Sequence, residues 1–150
     1  MCGFLDKIKE ECAIMGVSLK CEEAVGAVYN GLLALQHRGQ EGAGIALSHN
    51  QSIIIQKNTG LVNEVLTEKV LDKLPKSRTV IGHARYSTTG SNTNKNVQPF
   101  LTEYLTGRIA TAHNGNITNA KQIKVMLEKQ GLDFSASSDS EVISSLIAYN

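Results

Sequence analysis

The residue with the clearest chemical potential in this 150-residue chain is Cys12, which follows two carboxylates and begins a short apolar run. A thiolate attacks amide carbonyl carbons, and an α-amine on the same residue, with a pKa of about 7.7–8.0, can accept the thiol proton. An amide nitrogen cannot act as that base. We therefore interpret residues 1–11 as a propeptide leader whose removal makes Cys12 an N-terminal nucleophile, and residues 12–150 as part of the domain that serves it.

Four polar clusters downstream interrupt the apolar pattern, and each lies beside a predicted apolar element. They span residues 37–44 (HRGQEGAG), 82–90 (GHARYSTTG), 113–116 (HNGN) and 137–141 (SSDSE). Segments that border a packed core are where binding groups concentrate. The clusters are therefore the candidates for a site around Cys12.

Composition and charge exclude several classes of protein. A net charge of +1 gives no reason to expect nucleic acid or an anionic membrane as a partner. No apolar run approaches the roughly 20 residues that span a bilayer, and the acidic N-terminal segment is unlike a secretory signal. Three cysteines without CxxC spacing argue against a disulfide scaffold or a structural zinc site. We expect free thiols and a cytoplasmic protein.

Hydrophobic periodicity and turn residues predict the elements that must position these clusters. The pattern predicts a buried strand over 12–19, a helix over 21–36, strands over 43–48 and 53–57, a helix over 64–74, a strand over 79–86, a loop over 87–96, a hairpin of 100–105 with 108–112, a helix from 118 or 119 to 131, and a final helix from 138 onward. A capping box is predicted for the final helix, with Ser138 as the cap and Glu141 reaching back to it. Short connections between strands favour antiparallel sheet covered by helices.

The order and spacing of the motifs resemble the glutaminase domain of class II glutamine amidotransferases, the N-terminal-nucleophile group. The resemblance extends from Cys12 over nearly the whole remaining chain. It rests on ECAIMG at 11–16, LQHRGQEGAGI at 35–45, IGHARYST at 81–88, NVQP at 96–99, HNGN at 113–116 and SDSE at 138–141. Within the group, the chain is most similar to members in which a phosphoribosyltransferase domain follows the glutaminase domain.

The resemblance implies catalytic roles for four residues. Cys12 attacks the side-chain amide of glutamine, which gives a thioester and ammonia. The side-chain amide of Asn114 and the backbone N–H of Gly115 are the expected donors to the oxyanion. Arg38 is expected close to the nucleophile in a supporting role.

Glutamine is a zwitterion, so its pocket needs one cation and one anion. By the resemblance, Arg85 binds the α-carboxylate with help from the Thr88 hydroxyl. Asp139 accepts from the α-ammonium.

The resemblance also implies an α+β fold with four layers, in which two antiparallel sheets pack face to face between helices. It implies no cofactor or metal for glutamine hydrolysis, and Mg²⁺ for a later phosphoribosyltransferase domain. The family's glutaminase domain is longer than residues 12–150, so we expect these residues to be its N-terminal part and the fold to be truncated. No phosphoribosyl-pyrophosphate-binding loop is visible here, so we expect a fragment of a longer enzyme, whose complete form is expected to be a homo-oligomer.

Four alternatives remain open at this point. Cys2 could be the nucleophile after removal of Met1 alone, although the charged segment that follows it is unlike a buried strand. His37, His83 and His113, with Asp139, could form a metal site, although they lack close-paired ligand spacing. The chain could also belong to a sugar-phosphate or asparagine-type amidotransferase, or be a remnant that binds glutamine without turnover.

Overall fold

Two antiparallel sheets form the centre of the fold. The structure, a computed structural model, describes residues 12–86, 93–105, 107–136 and 138–149. The strands are β1 (Ala13–Ser18), β2 (Gly42–His49), β3 (Ser52–Thr59), β4 (Thr79–Arg85), β5 (Phe100–Tyr104) and β6 (Gly107–Thr111). The helices are α1 (Ala24–Ala34), α2 (Val62–Val65), α3 (Glu68–Leu71), α4 (Ala120–Lys129) and α5 (Asp139–Tyr149). Short 3₁₀ turns lie at Gln36–Arg38 and Asn94–Asn96.

The larger sheet has four strands in the order β1-β4-β2-β3, and every neighbouring pair is antiparallel. The tight turn between β2 and β3 uses positive φ angles at Asn50 (47°) and Gln51 (61°). Two such residues match the right-handed twist of the flanking strands, which is why this kind of turn closes hairpins. The strands predicted over 43–48 and 53–57 are confirmed as β2 and β3, and each extends by one or two residues beyond its predicted limits.

One face of the four-stranded sheet packs against α1. Ile45, Leu47 and Val80 share this face, and they belong to one buried cluster with Val28 and Leu32 of the helix. Gly82 lies directly beneath the helix, where an added Cβ would come within 2.6 Å of Val28 Cγ1. The absence of a side chain at this position lets the helix approach closely.

The hairpin of β5 and β6 forms the second sheet, which lies on the opposite face of the first. Helix α5 packs on this hairpin, and α4 packs on α5. The connection before β5 crosses the larger sheet at Gly44, where an added Cβ would lie 2.4 Å from the Gln98 carbonyl oxygen. The described layers are therefore helix, sheet, sheet and helix, and the predicted α+β fold with four layers is confirmed.

Two predictions about secondary structure differ from the structure, and part of a third lies outside the described residues. The single helix predicted over 64–74 is wrong, because Leu66 leaves the helical conformation (φ −105°, ψ 59°) and is fully buried, which separates α2 from α3. The strand predicted as buried over 12–19 is β1, which lies at the edge of the four-stranded sheet of the described residues. Its Ile14 is 39% exposed. Residues 87–92 of the predicted loop lie outside the described residues.

Candidate active site

A pocket of about 320 Å³ opens where β1 and β4 meet the segments before α4 and α5. This volume is in the usual range for small-molecule sites. Its lining includes Cys12, Arg85, Tyr86, Asn96, Gln98, His113, Asn114, Gly115, Asn116, Ser138, Asp139 and Ser140. Three of the four predicted polar clusters therefore contribute to one pocket that contains the predicted nucleophile.

Cys12 is half-buried immediately before β1, where the ladder pairs Ala13 with Ala84 of β4. Its Sγ lies 3.3 Å from both the backbone nitrogen and the backbone oxygen of Tyr86. The Tyr86 N–H can donate to sulfur, and a thiol can donate to the Tyr86 carbonyl oxygen, so the residue that follows β4 holds the Cys12 side chain. The sequence offered no signal for this contact, because it depends on the pairing of strands far apart in the chain.

The carbonyl oxygen of Cys12 is also held. Asn114 donates from Nδ2 at 2.8 Å across 102 residues, and Arg38 donates from Nε at 3.4 Å. A side-chain amide has two N–H bonds, so Asn114 retains a second hydrogen that can serve an oxyanion. The structure thus brings the predicted oxyanion donor Asn114 and the predicted supporting residue Arg38 to the predicted nucleophile, and each of them contacts the Cys12 main chain.

Gly115 follows Asn114 with a φ of +147°, a conformation that L side chains rarely adopt. A Cβ at this position would lie 3.0 Å from His113 Nε2. Glycine therefore permits the backbone path that brings the 115 position to the pocket wall.

Two of the three predicted ligands of the amino-acid zwitterion also line the pocket. Arg85 ends β4 and is only 5% exposed, and Asp139 is the first residue of α5. One oxygen of Asp139, Oδ2, accepts from the backbone N–H of Ile117 at 2.7 Å. The carboxylate therefore fixes the segment after Gly115 as well as offering charge to the pocket. Thr88, the third predicted ligand, lies outside the described residues.

Sequence reasoning missed the side chains that connect the segments of the pocket. Gln98 Oε1 accepts from the His113 N–H at 2.7 Å, while Nε2 donates to the His113 carbonyl at 3.0 Å and to Ser140 Oγ at 3.2 Å. Ser140 Oγ also lies 3.1 Å from His113 Nδ1. The NVQP motif was part of the resemblance, but its spacing gave no indication of these partners.

The predicted capping box is correct in one half. Ser138 Oγ accepts from the Ser140 N–H at 3.3 Å and so caps α5. Glu141 instead accepts from the backbone N–H groups of Ser135 (3.1 Å) and Ala136 (2.9 Å), and from the Ser135 hydroxyl. The connection before α5 turns back toward the helix, so its backbone N–H groups lie within hydrogen-bond distance of the Glu141 carboxylate.

Burial lowers the pKa of two groups near the pocket. Burial and, to a smaller extent, the nearby Arg85 guanidinium lower the pKa of His83 to about 4. Neither ring nitrogen of His83 makes a hydrogen bond to a described residue. The His113 main chain raises the pKa of His83 slightly, although it lies outside hydrogen-bond geometry. His83 is therefore neutral at neutral pH and adds no second cation beside Arg85. Burial also lowers the pKa of Lys57, although Glu141 opposes the change.

The metal-site alternative receives no geometric support. Within the described ranges, no three His, Cys, Asp or Glu side chains are grouped so that they could hold a metal ion. His83, one of the proposed ligands, is fully buried. Among the same residues, no helix has the length and apolar character needed to cross a bilayer.

Comparison with known proteins gives consistent results. Residues 83–150 match the glutamine amidotransferase domain family. The chain is 47% identical to amidophosphoribosyltransferase 3, chloroplastic, of Arabidopsis thaliana, over 95% of this chain and 26% of the relative. It is 45% identical to the amidophosphoribosyltransferase of Homo sapiens, over 95% of this chain and 29% of the relative.

The fold agrees with these relatives. The structure of glutamine phosphoribosylpyrophosphate amidotransferase from B. subtilis, complexed with ADP and GMP, matches with a TM-score of 0.80 and 43% identity, over 91% of this chain and 29% of that one. Sequence and fold together show that the chain is similar to glutamine amidotransferase domains and that it has an N-terminal-nucleophile fold. Its relatives named here are amidophosphoribosyltransferases, of which the chain spans 26–29%.

Proposed function

We propose that this chain hydrolyses glutamine to glutamate and ammonia, with Cys12 as the nucleophile. In the whole protein, the ammonia reacts with phosphoribosyl pyrophosphate to give 5-phosphoribosylamine for purine biosynthesis. The observation that carries the proposal is that Cys12, Arg85, Asn114 and Asp139 line one pocket although they are widely separated in the sequence. Independent structural roles would not require these residue types to converge.

Recognition follows from the charges in the pocket. The buried Arg85 binds the α-carboxylate of glutamine, and Asp139 accepts from its α-ammonium with the oxygen that Ile117 does not occupy. Thr88 adds a hydroxyl to the carboxylate site. These contacts direct the side-chain amide of glutamine toward Cys12 Sγ.

The chemical step begins with transfer of the thiol proton to the α-amine of Cys12. The thiolate attacks the side-chain carbonyl carbon of glutamine, and the second Asn114 N–H and the Gly115 N–H stabilise the resulting oxyanion. The carbon–nitrogen bond then breaks, and ammonia leaves with the transferred proton. Water hydrolyses the thioester to glutamate and regenerates the thiol.

This mechanism requires the α-amine of Cys12 to be free, so removal of residues 1–11 is part of the proposal. The hydrogen bonds from Asn114 and Arg38 to the Cys12 carbonyl would hold the new terminus in place. We further propose a cytoplasmic homo-oligomer without nucleic-acid or membrane partners. Mg²⁺ is needed only with the pyrophosphate substrate of the second domain.

Intact mass spectrometry of the expressed protein, followed by labelling with an electrophilic glutamine analogue, tests the proposal. The expected mature chain begins at Cys12 and carries one adduct on that residue. Cys12→Ala should reduce glutamine hydrolysis to below about one-thousandth, because the nucleophile is lost. Cys21→Ala, which changes an exposed thiol outside the pocket, is the matched control.

A retained leader together with full glutaminase activity in Cys12→Ala would contradict the proposal. Activity lost in Cys2→Ala and kept in Cys12→Ala would assign the nucleophile to Cys2. Glutamine binding without hydrolysis in the wild-type protein would instead support a binding remnant. Of the class II acceptors, phosphoribosyl pyrophosphate is favoured by the names of the relatives.

A further inference from the structure

We propose that Gln98 is a positioning residue that fixes the oxyanion-binding segment His113–Gly115 against the start of α5. The inference rests on the proposed function, since it assigns a residue to that reaction. Gln98 is 6% exposed and lines the pocket. It touches neither Cys12 nor Asn114 through any described hydrogen bond, so it acts through the segment that it holds.

The side-chain amide of Gln98 binds the main chain of His113 at two points. Its oxygen accepts from the His113 N–H at 2.7 Å, and its nitrogen donates to the His113 carbonyl at 3.0 Å. Only one orientation of the amide satisfies both groups, because an oxygen must face the N–H and an N–H must face the carbonyl. This pair of bonds fixes the backbone immediately before Asn114 and Gly115.

The same amide connects this segment to α5. Nε2 of Gln98 also donates to Ser140 Oγ at 3.2 Å, and Ser140 follows the proposed ammonium ligand Asp139. Asp139 in turn binds the Ile117 N–H on the far side of Gly115. The oxyanion-binding segment is therefore held before and after the two proposed donors, and Gln98 supplies the first of these attachments.

Gln98 is itself held from the sheet below. Lys57 Nζ donates to the carbonyl oxygens of Val97 (2.6 Å) and Pro99 (3.0 Å), which flank Gln98. The ammonium also lies 5.0 Å from the centre of the Phe100 ring. The close approach of the Gln98 carbonyl to Gly44 leaves this segment little room to shift. A rigid support of this kind is what positioned catalytic groups require.

The test compares Gln98→Met with wild type in the intact protein, because Met has similar length but neither hydrogen-bonding end. We expect kcat for glutamine hydrolysis to fall about 100-fold, since small displacements of oxyanion donors have effects of this size. KM for glutamine should change less than about threefold, because Arg85 and Asp139 are retained. Alkylation of Cys12 by iodoacetamide should keep its rate within about twofold, because that displacement forms no oxyanion.

Gln98→Glu adds a pH signature. When protonated, its carboxyl group presents the same donor and acceptor as the amide, whereas the carboxylate turns a negative oxygen toward the His113 carbonyl. The ratio of kcat in this variant to that in wild type should therefore rise as pH falls from about 8 to about 6, because burial raises the pKa of a carboxyl group. A flat ratio would contradict the proposed contact.

Hydrogen exchange gives a readout that does not depend on activity. The His113 amide should be protected in wild type and exchange at least about tenfold faster in Gln98→Met, with β2 and β4 unchanged. Thr102→Val is the matched control, because it removes a 2.6 Å hydrogen bond between β5 and Ser144 of α5 that lies away from the pocket. This control should leave both kcat and the His113 amide unaffected.

Normal kcat in Gln98→Met, or equal slowing of hydrolysis and alkylation, would overturn the positioning role. Unchanged exchange of the His113 amide would overturn it as well. A wild-type protein that does not hydrolyse glutamine would overturn the proposed function. The hydrogen-exchange rate of the His113 amide would then be the measurement that shows whether Gln98 holds the segment.

Discussion

The two walls of the pocket are built differently. The sheet wall includes Cys12, Arg85 and Tyr86, and the loop wall includes residues 113–116 and 138–140. Strand pairing fixes the sheet wall, through the ladders that join Ala13 and Ala43 to Ala84 and through the Glu41 N–H bond to the Arg85 carbonyl at 3.0 Å.

Side chains fix the loop wall instead. Gln98, Ser140 and Asp139 bind the main chain or side chain of residues 113–117, and Asn114 completes the contact with Cys12. Backbone ladders persist when side chains change, whereas each of these bonds disappears with one substitution. The sheet therefore places the proposed nucleophile robustly, while the placement of the proposed oxyanion donors depends on a few side chains.

The largest effect within the loop wall is expected for Asn114→Ala. Loss of one oxyanion donor should reduce kcat about 100- to 1,000-fold, with little change in KM for glutamine. Steady-state kinetics of glutamate release would measure this change. Asn63→Ala, on the exposed surface of α2, is the control; a loss below about threefold in Asn114→Ala would mean that this amide serves only the Cys12 carbonyl.

The second prediction concerns His83 of β4, which lies in the sheet that carries one wall of the pocket, and the pH dependence of stability. The pKa of His83 is about 4 in the folded protein and about 6.5 in an unfolded chain, so the unfolded state binds the additional proton between these values. The free energy of unfolding should be unaffected by this group above about pH 6.5 and fall by up to about 3 kcal/mol as pH decreases toward 4.

Urea unfolding of wild type and His83→Phe at several pH values would test this prediction. The variant has a ring that cannot be protonated, so its stability should depend less on pH across the same range. The test compares the slope of unfolding free energy against pH in the two proteins. A loss of stability that is the same at every pH does not alter this slope. Parallel slopes would show that His83 does not control acid sensitivity.

The smallest effect is expected for Asp139→Asn, which keeps an oxygen for the Ile117 N–H but removes the negative charge. KM for glutamine should rise about tenfold with kcat nearly unchanged, because a charge-assisted contact to the α-ammonium is lost. Isothermal titration with glutamate would measure the same loss at equilibrium. Equal KM in the variant and wild type would restrict Asp139 to supporting the Ile117 segment.

Sequence patterns predicted most of the fold because the relevant signals are local. Alternation and turn residues predicted the β2–β3 hairpin, and apolar residues spaced three and four positions apart predicted α1, α4 and α5. The prediction of one helix over 64–74 failed because Leu66 is buried in the core in a non-helical conformation. The hydrophobic pattern of the sequence does not reveal which residue leaves the helix in this way. Glu141 was assigned the wrong partners for a related reason, since the path of the preceding connection decided them.

The sequence by itself determined which residue types the pocket contains. A thiol, an arginine, an asparagine followed by glycine, and an aspartate at a helix start all lie where motif order predicted them. Only the tertiary structure decided how they are held: Tyr86 against the sulfur, Asn114 against the Cys12 carbonyl across 102 residues, and Gln98 against His113. The physical reason is range, because local periodicity encodes strands and helices, whereas hydrogen bonds between distant segments form only after the sheets have brought those segments together.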